Sequence, residues 1–276
     1  MSEEHLWVVL YSAPEDGPKS TTTAPSAVRW GRPHLPRALR CAHRIAPSER
    51  VLVAVLEQEE PWWSSVTGDL PRENLAQQPL DRGSGVGLLV TLLEVGQRDP
   101  EAEVVLFTSD EVCVDAAELA ARGRAQLALQ PDRIHLVGRA PRPEDNGGSV
   151  WVVPGGHARG DVAGLVFGPT RATRSYLVEQ GATVATPVVV GHVGRFLELF
   201  RRVAPGLIGQ LEDSVLAQTG VDADALHEVY LFLDVIDFHR DVLARSPAAL
   251  AVSAVAAPPR VVPAPAAVDA APRLAL

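Results

Sequence analysis

Apolar residues fall along this chain in two alternating patterns. Unbroken runs occupy residues 6–10 (LWVVL), 51–56 (VLVAVL) and 104–107 (VVLF), and residues 134–138 (IHLVG) form a similar run interrupted by His135. Such a run predicts a strand covered on both faces, because a half-solvated strand would alternate apolar with polar positions. Between the runs, apolar residues return at three- and four-residue intervals. Leu35, Leu39, Ala42 and Ile45 do so. Residues 86–95 are apolar on more than one helical face, and residues 115–129 are rich in Ala and Leu. The second half predicts a strand at 149–152, a helix over 172–181 stopped by Gly181, two helices broken at Pro205, a helix over 226–233 and a last strand at 249–252. Strands alternating with helices give an α/β domain. It is expected to span residues 1–255. Residues 256–276 are rich in Pro and Ala and read as a flexible tail.

Residues 78–110 (QPLDRGSGVGLLVTLLEVGQRDPEAEVVLFTSD) are the stretch around which the rest is organised. A loop punctuated by Pro79 and Gly83 leads into a helix with Ser84 as its expected N-cap. Asp99-Pro100 ends that helix, because the residue before proline is pushed out of the α region. The 104–107 strand follows, and Asp110 stands at its carboxyl end. In open α/β sheets that edge is where ligands bind. Ser109 and Asp110 also suit a simple helix cap.

Composition narrows the field. The chain has 276 residues, which suits one large α/β domain, and 46% of them are hydrophobic, enough for a sizeable core. The formal net charge of -9, with no basic cluster, argues against nucleic acid as a partner. Cys41 and Cys113 form neither a disulfide framework nor a zinc spacing. No apolar run is long enough to span a membrane. The start, with Glu3 and Glu4, lacks the basic region of a secretory signal, so the cytoplasm is the expected compartment. His135, inside an apolar run, is expected to be a packed core histidine. Trp62-Trp63 fits either an exposed binding surface or the packing of a short helix.

Gln78-Pro79, Arg82-Gly83, Asp99-Pro100 and Ser109-Asp110, taken together, resemble the sugar-1-phosphate nucleotidyltransferases, in particular the mannose-1-phosphate guanylyltransferase branch. That branch carries Q-P-x-N-R-G-T-A, then D-P-x-A, an apolar strand and S-D-H. Pro141-Arg142-Pro143-Glu144 resembles its P-x-x-P-E turn, and Ile236 to Leu243 (IDFHRDVL) its x-D-F-S-R-D-V-L. The resemblance covers nearly the whole chain. It implies the nucleotide-diphospho-sugar transferase fold, a three-layer αβα arrangement around a mixed, mostly parallel sheet. It also implies nucleotide contacts from Gln78, Arg82, Gly83 and Ser84, a metal ligand in Asp110, and Mg²⁺ as the cofactor of an active enzyme. Lys19, which follows Pro18 as the family's P-K-Q-F lysine follows its proline, is a weak candidate for phosphate, since its distance to the next landmark differs; a solvated surface lysine is the favoured reading.

Several positions depart from that pattern. After the first strand the family has G-G-x-G-T-R, whose glycines and backbone N–H groups cradle phosphates. Here residues 11–19 read YSAPEDGPK, with one glycine, two prolines and two acids. Val150 stands where the family has glycine, Val166-Phe167-Gly168 replaces its Glu-Lys pair, and Ala185 replaces the asparagine that contacts sugar. Residues 254–259 (AVAAPP) hold no carboxylate where a second metal ligand is expected. Two functions follow. One is an active, divergent enzyme joining a sugar 1-phosphate to a nucleoside triphosphate with release of pyrophosphate. The other is a non-catalytic descendant that binds a nucleotide or nucleotide sugar, or a partner protein. The deficit of charged groups favours the second.

Overall fold

The computed structural model describes residues 3–11, 34–108, 116–143, 145, 149–156, 160–216 and 223–255. The apolar runs are strands: β1 (Leu6–Tyr11), β2 (Val51–Leu56), β4 (Glu103–Thr108) and β5 (Ile134–Arg139). A strand not anticipated from the sequence, β3 (Leu75–Gln78), precedes the central loop. It is short and ends in two glutamines, so it carries no apolar run to betray it. The remaining strands are β6 (Val150–Pro154), β7 (Val162–Phe167), β8 (Thr183–His192) and β9 (Leu250–Val255). The helices are α1 (His34–Ala42), the short α2 (Glu60–Trp63), α3 (Gly83–Arg98), α4 (Ala116–Leu127), α5 (Arg171–Glu179), α6 (Val193–Val203), α7 (Pro205–Leu216) and α8 (Ala223–Phe232).

Among the described residues the nine strands form one sheet, with the main order β3-β2-β1-β4-β8-β5-β9. Every neighbour on that path is parallel except those of β8, which runs antiparallel to β4 and β5. β6 and β7 form an antiparallel hairpin attached to the start of β8.

β1 shows why its run is unbroken. Trp7, Val9 and Tyr11 pack into one core, with Val86, Leu89 and Leu93 of α3 and Phe196 and Phe200 of α6. Leu6, Val8 and Leu10 pack into the other, with Leu35 and Leu39 of α1 and Leu119 of α4. Helices on both sides of one sheet make three layers, as the family resemblance implies.

Three smaller expectations are settled by packing. His135 is buried, and its Nε2 lies 2.9 Å from the Gln130 carbonyl oxygen; burial depresses its pKa, so it sits as a neutral core imidazole. Trp63 is buried and its Nε1 donates to the Leu56 carbonyl at 2.9 Å, while half-buried Trp62 packs on the same core. The tryptophan pair therefore belongs to the packing of α2 rather than to an exposed platform. The helix after the central loop begins at Gly83, so Ser84 lies inside its first turn and is not the N-cap. Among the described residues no helix is long and apolar enough to cross a membrane.

Candidate functional site

The carboxyl ends of β1, β2, β3, β4, β5 and β9 meet at one edge of the sheet, where β8 begins. The 79–82 loop leaves β3 at this edge and turns into α3. Its conformation is set locally: the Asp81 carboxylate accepts the Gly83 N–H at 2.9 Å, and Gly83 adopts φ +83°. A side chain there would be strained, and its Cβ would meet the Ile236 carbonyl oxygen at 2.5 Å.

The loop is met by the segment that follows α8. Arg82 donates from Nε to the Tyr230 carbonyl at 2.7 Å and from Nη2 to the Leu231 carbonyl at 2.9 Å. The Ile236 N–H donates to the Arg82 carbonyl at 3.0 Å, and the Gly85 N–H to the Ile236 carbonyl at 2.8 Å. The Ser84 hydroxyl accepts the Phe238 N–H at 3.0 Å. Helix α3 starts with open N–H groups, which is what suits such a terminus to anions. Here the Gly83 and Gly85 N–H groups already have protein acceptors. Gln78 is buried, and its amide lies over α3, where a Cβ on Gly87 would approach Nε2 to 2.5 Å.

The structure thus brings Gln78, Arg82, Gly83 and Ser84 together around the start of α3, each against a neighbouring part of the chain. Asp110 and Lys19, with Ser109 and Glu111, lie outside the described residues. Among the described residues no group of three or more His, Cys, Asp or Glu side chains is placed to hold a metal ion.

Phe238 anchors the strap that holds the loop. It is fully buried and its ring meets Tyr11 edge-on at 5.9 Å and stacks on Phe200 at 6.2 Å. The five residues Phe238–Val242 form one π-helical turn, capped by Asp237, whose carboxylate accepts the Arg240 N–H at 2.8 Å. This turn carries Arg240 to the β6–β7 hairpin, where its guanidinium sits 5.1 Å from the centre of the Phe167 ring. Nothing in the spacing of the IDFHRDVL motif shows that it closes on the start of α3, 154 residues away between Ser84 and Phe238; only the fold reveals it.

The hairpin supplies a wall. Paired residues in a sheet share a face, so Val150 and Phe167 lie side by side. Val152 and Leu165 continue that face, and Thr183 and Ala185 of β8 join it. Val150, Phe167 and Ala185, at positions where the transferase resemblance expects a glycine, part of a charged pair and an asparagine, therefore share one mainly apolar face.

Behind the loop, Glu94 of α3 is largely buried. Burial pushes its carboxyl up to about 7, against the opposing pull of Arg98. Tyr230, wholly buried, is raised by burial and then by the negative charges of Glu94 and Glu57. Its hydroxyl has no hydrogen-bond partner among the described residues.

No protein-family model and no curated protein sequence matches the chain. Solved structures do. A structure described as mannose-1-phosphate geranyltransferase from Thermus thermophilus superposes with a TM-score of 0.70 at 20% identity, over 91% of this chain and 73% of that one. One described as mannose-6-phosphate isomerase from Helicobacter pylori gives 0.64 at 12% identity, over 92% and 98%. The inositol-1-phosphate CTP transferase from T. maritima gives 0.51 at 11% identity, over 92% and 86%. At these identities the likeness is one of fold, and the fold is that of the nucleotide-diphospho-sugar transferases.

Proposed function

We propose that this chain, with its nucleotide-diphospho-sugar transferase fold, is a binding protein for a nucleotide or nucleotide sugar that has lost the transfer chemistry. The observation that carries this is the apolar wall. Joining a sugar 1-phosphate to a nucleoside triphosphate spreads negative charge over phosphates, and the rate depends on cations and dipoles placed where that charge develops. Removing one such group costs about 10²–10³ in rate. Phe167 and Ala185 stand on one face where a charged group and an asparagine are expected, and Val150 beside them fills the place of a glycine, so polar contacts and open space are lost together. Binding survives such losses better than catalysis, because binding does not need the developing charge to be met.

A second function is favoured by Arg240. Its guanidinium at the Phe167 ring brings a cation to the wall from a different element, and an active, divergent nucleotidyltransferase using Mg²⁺ would exploit it. Two assays separate the possibilities. Calorimetry with GTP, ATP and GDP-mannose, with and without Mg²⁺, reads binding; pyrophosphate release with mannose 1-phosphate and GTP reads turnover. Binding without release supports the binding protein. Release that is lost in Arg240→Ala supports the enzyme. Absence of heat with every nucleotide rejects both.

A further inference from the structure

The opposite face of the β6–β7 hairpin carries a second concavity. Trp151, Val166 and Val184 are paired with one another and point away from Val150, Phe167 and Ala185. Helix α5 covers them through Leu177. Beside α5 a cavity of about 600 Å³ opens against Pro141, Arg142, Pro143 and Asp145. Arg171, Arg174, Ser175 and Val178 line it, a spacing that puts all four on one side of the helix. Arg142 enters from the turn.

The charges are arranged in advance. Asp145 is buried and receives both Nη groups of Arg139, at 2.7 Å for Nη1 to Oδ2. Its Oδ2 also accepts the Arg142 N–H at 2.6 Å, and its carbonyl oxygen accepts from the Arg174 guanidinium. Burial opposes the Asp145 charge, but Arg139 and the Arg142 N–H outweigh it and hold the carboxyl below its ordinary value. Arg139 thus neutralises Asp145, while Asp145 fixes the Arg142 backbone and the Arg174 side chain. The Arg171 side chain, on the exposed end of α5, makes no hydrogen bond or ion pair among the described residues. With Arg139 and Asp145 paired, the remaining charged residues that line the cavity among the described residues are Arg142, Arg171, Arg174 and Glu179, on a chain whose formal net charge is -9. The start of α5 adds its own partial positive charge. Trp151 also lines the cavity, and its indole N–H has no acceptor among the described residues.

We propose that this cavity binds a small phosphate-bearing metabolite, its phosphate held by Arg142, Arg171 and Arg174 and its carbon body resting on Pro141, Pro143 and Val178. Guanidinium forks match phosphate oxygens in pairs, which is why arginine rather than lysine suits such a site. The hairpin lies between this cavity and the apolar wall, so the ligand sits on the opposite side of the hairpin from Val150, Phe167 and Ala185. Arg139, which holds Asp145, is the last residue of β5 and so links the site to the carboxyl edge of the sheet.

Phenyl phosphate is a suitable probe, since it joins a phosphate to an apolar body. Titration calorimetry should give saturable binding, tighter than that of inorganic phosphate. Arg171→Glu should weaken it about tenfold or more, since a hydrogen bond between charged groups contributes at least that factor. The Arg171→Glu/Arg174→Glu double variant should abolish it. Arg171 makes no internal side-chain bond, so its variant should keep the wild-type melting curve, which circular dichroism checks. Absence of saturable heat would overturn the proposal. So would equal affinity in wild type and the double variant, which would put the anion in the nucleotide cleft. Nucleotide binding should be unchanged in both variants, so this site stands or falls separately from the cleft.

Discussion

Ser84 distinguishes a loop held by its own chain from a loop kept for a ligand. Its hydroxyl is buried and accepts the N–H of Phe238, a residue with no exposed surface. Ser84→Ala removes the acceptor and leaves that N–H without a partner in a dry setting. A buried donor left unsatisfied costs about 1–3 kcal/mol, more than the average worth of a hydrogen bond, because its desolvation is no longer offset. The methyl of alanine fits where the serine Cβ already stands, so no cavity term adds to this. For a domain of this size about 2 kcal/mol corresponds to a fall in Tm of roughly 4–8 °C. Urea denaturation should show a lower midpoint with an unchanged slope, since the exposed surface is the same. Ser84→Thr, which keeps an acceptor, should recover part of the loss. A Ser84→Ala protein within about 0.5 kcal/mol of wild type would refute the reasoning, because it would mean that the Phe238 N–H does not depend on this hydroxyl. If that stable variant also bound GTP more weakly, Ser84 would belong to the nucleotide instead.

Two further predictions rest on buried charge. The Glu94 carboxyl is raised from 4.5 to about 7, so between those values the folded chain holds a proton that the unfolded chain releases. Stability therefore falls as pH rises through that window and levels off above it, by about 3 kcal/mol at full effect; Glu94→Gln should flatten the profile and raise stability at pH 8, and denaturation midpoints from pH 4 to 8 check this. Asp145→Asn strips the buried Arg139 of its counter-charge and should cost about 3–5 kcal/mol at pH 7 by the same assay, a penalty that shrinks only in acid, because the wild-type carboxyl titrates below its ordinary value of 3.8.

The frame was legible because burial leaves a period in the sequence. The apolar runs at β1, β2, β4 and β5 record cover on both faces, and the Pro and Gly punctuation at Asp99-Pro100, Pro205 and Gly181 marks where elements stop. β3 escaped because four residues ending in two glutamines carry no such record. The candidate site was legible only as a set of residue types. Arg82, Gly83 and Ser84 are compatible with phosphate, but the same donors and acceptors serve a passing backbone equally well, and which of the two they meet depends on residues far along the chain. The five hydrogen bonds to the 230–238 strap give the loop internal partners, so its composition alone is no measure of what it offers a ligand. Polarity at a site is a capacity, and the rest of the fold decides how much of it is already in use. By that measure the start of α3 has its Gly83 and Gly85 N–H groups already in use, whereas the Arg171 side chain makes no hydrogen bond among the described residues. A further capacity for a phosphate therefore lies on the outer face of the hairpin, beside Pro141, Arg142 and Pro143, which the resemblance marks as a turn and not as a binding site.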